Sequence, residues 1–177
     1  YTTTLRNLAA DGIHTVIYNF MPVLDCVRTD MRWQLPDGSM SMHFDPIRFA
    51  AFEIHALNRS GAEAAYSQEQ LDRAADWWAS LDEPARNAFI RSVIDVFPGV
   101  KWELTLDDIR TMLARYAAIG ETELRANLAN FLHAVIPTAE EVGIRMAIHP
   151  DDPPFPVLGL PRIVSTAGCP RVRMATP

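Results

Sequence analysis

The run RMAIHPDDPP, residues 145 to 154, ends a short apolar stretch in an imidazole and sets two carboxylates directly behind it. A histidine so placed can bind a divalent cation through one ring nitrogen while a neighbouring acceptor holds the other, so His149 is the candidate metal ligand. Asp151 and Asp152 are the candidate catalytic residues. Either can supply that acceptor, act as a general base, or merely cap the next turn. Prolines at 150, 153, 154 and 156 remove freedom from the loop, which suits a site of fixed geometry. The plain alternative is a structural histidine before a proline turn.

What must position these groups becomes visible when NLAADGIHTVIYNFMPV (7 to 23) is set beside AEEVGIRMAIHPDDPP (139 to 154). Each reads as helix, glycine, apolar strand, polar strand end, proline loop. Gly12 and Gly143 stand where a helix C-terminus favours a left-handed residue. Strands apolar at nearly every position imply a parallel sheet buried on both faces, and hence an α/β fold. In such folds the C-terminal strand ends open on one mouth. Tyr18 and Asn19, at the end of the first strand, therefore join His149 as candidates for substrate contact. Arg28 in the following loop is a third, because Asp25, Arg28 and Asp30 put two carboxylates around one guanidinium. An ordinary loop ion pair is the alternative there.

A helix feeding the second strand is marked by Leu124, Leu128, Phe131, Leu132, Val135, Ala139 and Val142 at three- and four-residue steps, with Pro137 expected to kink or divide it. Between the two units, residues of about 31 to 120 read as a long, mainly helical insertion. Segments 45 to 58, 67 to 81 (opening on a Ser-x-x-Gln capping box), 82 to 97, and 105 to 120 (stopped by Gly120) are its helices. An insertion of this length makes a lid, a subdomain or an oligomer contact, which leaves room for a homo-oligomer. Trp77 and Trp78 read as helix core, and His14, His43, His55 and His133 as structural or solvated.

The 177 residues carry 16 basic and 22 acidic side chains, a net charge of −6 without blocks of like charge. That balance argues against nucleic acid and a basic membrane anchor as partners, and for a small molecule. Cys26 and Cys169 are too few for a disulfide framework and lack zinc-site spacing, which fits a reducing, cytoplasmic setting. Tyr1 is not a start methionine, and TAGCPRVRMATP loses the earlier periodicity. The expectation is an internal fragment whose residues 1–166 form a partial domain, followed by an atypical tail at 167–177, with a foreign or frameshifted segment as one cause.

Together, GIHTVIYNFMPVLDCVRTD, LPDGS, EEVGIRMAIHPDDPP and LGLPRIVST closely resemble the mannonate dehydratase family of hexuronate breakdown, from Tyr1 to about Thr166. The resemblance implies a (β/α)8 TIM barrel with a helical insertion. It also implies a lyase that dehydrates D-mannonate to 2-keto-3-deoxy-D-gluconate with Mn2+ or Fe2+, a sugar acid being the small-molecule partner. His149 matches one of that family's metal ligands. The others are a cysteine, a second histidine and an aspartate on later strands, beyond this chain. Cys169, in an Ala-Gly-Cys-Pro context, does not match the family cysteine, and Cys26 stands where the family usually has tryptophan. Two other readings are a TIM-barrel isomerase or epimerase of sugar acids, and a non-catalytic fragment.

Overall fold

A computed structural model describes residues 1–96 and 104–166. Along the chain it contains α1 (Thr2–Ala10), β1 (Thr15–Tyr18), β2 (Asp30–Gln34), β3 (Met40–His43), α2 (Pro46–Ala51), α3 (Gln68–Ser80), α4 (Glu83–Ile94), α5 (Leu106–Tyr116), α6 (Glu121–Glu141) and β4 (Arg145–Ile148). These group into two compact units, one of residues 1–22, 118–156 and 160 onward, the other of residues 23–117 with 157–159. The atypical tail and Cys169 lie outside the described residues.

The first unit is a β-α-β crossover. β1 and β4 pair in parallel, Thr15 opposite Arg145 and Tyr18 opposite Ile148. α1 and α6 end identically. The amide of Gly12 bonds Ala9 O and that of Ile13 bonds Leu8 O, while Gly143 bonds Glu140 O and Ile144 bonds Ala139 O. Both glycines hold positive φ, 78° and 72°, which lets each helix satisfy its last carbonyls and turn sharply into a strand. Leu5, Val135, Ala139 and Ile144 are buried where these elements meet, with Val16 and Met146 packed against them. A second cluster joins Leu124 and Leu128 of α6 to Ile163, flanked by Tyr18, Phe131 and Ile148.

Two expectations are corrected in this unit. Pro137 does not divide the helix: α6 runs unbroken for 21 residues. The strands are covered on one face only, with Val16, Tyr18, Met146 and Ile148 half-buried and Ile17 68% exposed. The described helices pack on one side of the strand pair, so the apolar side chains of the other side stay open.

The second unit is the helical excursion, and it also contains an antiparallel hairpin, β2–β3, that the mainly helical reading did not include. Its turn is closed by Asp37, which accepts from the backbone and hydroxyl of Ser39. Those bonds hold the Asp37 carboxyl below its usual range. Segment 45–58 is a helix only to Ala51, capped by Asp45 on the amides of Ile47 and Arg48. A π-helical turn, Phe52–Ala56, follows it and sends Glu53 into the core. There Glu53 accepts from Arg59 Nε at 2.7 Å and from the Tyr66 hydroxyl. Burial first, and then the adjacent Glu53 charge, push the Tyr66 phenol well above its ordinary 10.0. The Ser67–Gln70 capping box opens α3 as read. α5 starts on a Thr105–Asp108 box and stops at Tyr116, so Gly120 ends no helix; it precedes α6 as its N-cap residue.

Candidate functional site

The parallel register brings two strand ends together. The His149 amide donates to Tyr18 O at 2.8 Å, which extends the ladder one step beyond Ile148 and fixes the backbone of His149 beside that of Tyr18 and Asn19. His149 and Asn19 are both exposed there. The His149 ring has its Nδ1 2.6 Å from Pro150 O. A carbonyl oxygen can only accept, so Nδ1 carries the proton and Nε2 keeps the lone pair a cation would use. The acceptor at Nδ1 is thus a backbone carbonyl.

Asp151 turns the other way. Its side chain is 2% exposed and meets the returning segment 162–165: Oδ2 accepts from Val164 N at 2.5 Å and from Ser165 Oγ at 3.3 Å, and Oδ1 lies 3.9 Å from Arg162 Nη1. The Asp151 amide in turn donates to Val164 O at 3.0 Å. Arg125 of α6 grips the same segment through Ile163 O at 3.2 Å. Asp152 is half-buried.

Tyr18 reaches the strand end, but its ring lies among the α6 side chains, 5.7 Å from Phe131 by ring centroids. Burial raises its phenol pKa. Arg28 belongs to the other unit, where its Nη1 donates to Val27 O at 2.7 Å. Asp30 in that unit faces Arg48 at 3.8 Å and caps the amide of Arg32. Arg48 lies between Trp33 and Trp77, about 5.6 and 5.5 Å from the ring centroids, beside an open hollow of ≈ 400 Å³ that reaches Thr29 and Ser92. Of the residues singled out from sequence, Asp30 and Trp77 line that hollow. Cys26 is half-buried with its Sγ 3.8 Å from Asp25 Oδ1. Glu53 and the latch formed by Asp151 were missed by sequence reasoning; an acidic residue on the apolar face of AAFEIHAL was the available signal for Glu53.

Among the described residues no three of His, Cys, Asp and Glu converge as a metal site. His149 fits a divalent cation as one ligand: exposed, with a fixed tautomer, at a strand end. No described helix is long and apolar enough to cross a membrane.

A model of D-mannonate dehydratase matches residues 1–174 of the chain. The chain belongs to the mannonate dehydratase family. It is 54% identical over 166 residues to the mannonate dehydratase of Chromohalobacter salexigens and 47% identical over 165 residues to that of Marinomonas sp. strain MWYL1. These alignments cover 94% and 93% of this chain but 42% of each relative. The crystal structure of mannonate dehydratase from Streptococcus suis serotype 2 superposes with a TM-score of 0.54 at 32% identity, over 93% of this chain and 33% of that one. The chain therefore spans less than half the length of the curated relatives it matches.

Proposed function

We propose that the full-length protein containing this chain is a metal-dependent mannonate dehydratase, a lyase that converts D-mannonate to 2-keto-3-deoxy-D-gluconate. The observation that carries this reading is the family match running through the HPDD stretch, where His149 stands exposed beside the end of a parallel neighbour strand. The β-α-β unit is then one step of a (β/α)8 barrel, the uncovered strand face with Ile17 being the side turned to the barrel interior. The helical unit is the insertion between two neighbouring barrel strands. The family and the lack of a membrane-spanning helix among the described residues fit a cytoplasmic enzyme.

Dehydration of a 2,3-dihydroxy acid removes a weakly acidic proton beside the carboxylate and expels hydroxide. A bound Mn2+ or Fe2+ supplies stabilisation of developing oxyanion charge. His149 would hold that ion through a ring nitrogen, with further ligands from outside the described residues. Asn19, with one amide donor group and one acceptor, suits a substrate hydroxyl at the adjoining strand end. Asp152, half-buried three residues from His149, is a proton-transfer candidate. Tyr18 contributes the aromatic wall behind the strand end.

Purified full-length protein given D-mannonate and Mn2+ is expected to form a 2-keto acid, followed colorimetrically, and His149→Ala to abolish it. An inactive wild-type protein overturns the reading. The chain by itself is expected to show no turnover, because the described residues supply no three-ligand cluster.

A further inference from the structure

Asp151 stands two residues from His149 with its carboxylate buried. A general base must offer a lone pair to substrate within hydrogen-bond reach. Here the carboxylate is turned into the protein: Oδ2 accepts from Val164 N and Ser165 Oγ, and Oδ1 faces the Arg162 guanidinium at 3.9 Å. What those contacts do is close a loop. Asp151 and Val164 are bonded reciprocally, the Asp151 amide to Val164 O and the Val164 amide to Asp151 Oδ2, across a separation of 13 residues. The returning segment is itself anchored to α6: Ile163 is 1% exposed against Leu124 and Leu128, and Arg125, braced by Glu121 at 2.7 Å, holds Ile163 O.

We propose that Asp151 is a positioning residue for the metal site, latching the base of the loop to α6 so that His149 presents Nε2 in one orientation. The backbone of His149 is then fixed from both flanks, by Tyr18 O before it and by the Asp151–Val164 pair after it. Without the carboxylate, the loop loses its bonds to the Val164 amide and the Ser165 hydroxyl, and the Asp151 amide alone still meets Val164 across that pair. The proposal rests on His149 being a metal ligand.

Full-length protein tests it with Mn2+ titration calorimetry, kinetics and amide hydrogen exchange. Asp151→Ala is expected to weaken Mn2+ binding roughly 10- to 100-fold, the usual cost of losing a group that orients a ligand, and to speed exchange of the Val164 amide. Asp151→Asn keeps an oxygen able to accept from Val164 N. It is expected to retain Mn2+ affinity within about threefold and most of kcat, whereas a base converted to an amide would lose about 10²- to 10⁴-fold in rate. Loss of kcat in Asp151→Asn with Mn2+ affinity intact makes Asp151 a base and overturns the proposal. Wild-type Mn2+ affinity in Asp151→Ala overturns it as well. His149→Ala separates the two claims: if it binds Mn2+ normally, the ligand reading has failed, whatever Asp151 does.

Discussion

Asp151 and Glu53 are buried carboxylates, one in each unit, and each is met by an arginine and a hydroxyl. Asp151 has Arg162, Ser165 and a backbone amide; Glu53 has Arg59 and Tyr66. Their surroundings differ. Asp151 is two residues from an exposed imidazole at a strand end, whereas Glu53 sits on a π-helical turn among phenylalanines and alanines. A buried carboxylate that collects donors is therefore a structural device in both units. It bears on chemistry only where the segment it holds also carries a reactive group.

Removing either carboxylate should do the greatest damage. Glu53→Ala leaves the partly buried Arg59 less compensated and Asp151→Ala the buried Arg162, a loss of up to about 3–5 kcal/mol read by urea unfolding of full-length protein. The comparison sharpens if Mn2+ affinity of the folded fraction falls only for Asp151→Ala; an equal fall for Glu53→Ala breaks it. Tyr66→Phe should cost about 1–3 kcal/mol by leaving one Glu53 oxygen unsatisfied, with turnover of the folded enzyme unchanged.

The Tyr66 hydroxyl also predicts a pH dependence. Its pKa is raised on folding, chiefly by burial and then by Glu53. The stability it contributes is fully present below the ordinary value of 10.0 and declines as pH rises above it, since only the unfolded phenol then ionises. Tyr66→Phe should flatten the alkaline limb of a Tm-against-pH curve. An unchanged limb would show that the buried phenol is not coupled to folding. A smaller effect, about 1–2 kcal/mol, is expected from Gly143→Ala, because φ of 72° strains any residue with a Cβ, though nothing lies within 4 Å of the added atom. Gly12→Ala should match it, the two helix ends having the same hydrogen bonds.

Much of this was legible where the signal is local. Gly12 and Gly143 announced two helix-to-strand turns, and Ser67 with Gln70 announced α3, because caps depend on residues within one turn of each other. The hairpin was missed although Leu-Pro-Asp-Gly-Ser is a turn sequence and DMRWQ and MSMH alternate polar with apolar residues; the two strands are only five and four residues long and their methionines are exposed, so the signal is short and marks no core face. The π turn has no sequence grammar of comparable strength. Position along the chain placed His149 and Asn19 at neighbouring strand ends, as the structure does, but it could not say which way Tyr18 or Asp151 faces. That depends on α6 and on a segment returning 13 residues later.

The pairing of β1 with β4 joins residues 130 positions apart, as the bond from Arg145 to Thr15 records. At a synthesis rate of about 5–20 residues per second, β1 leaves the ribosome on the order of ten seconds before its partner exists. Throughout that interval the edge of β1 that β4 will cover waits for its partner, while the helices of the excursion can already form. The newborn chain must therefore shelter a sticky strand until its match arrives, and its yield in the cell should respond to the pace of translation and to chaperones that hold extended apolar segments.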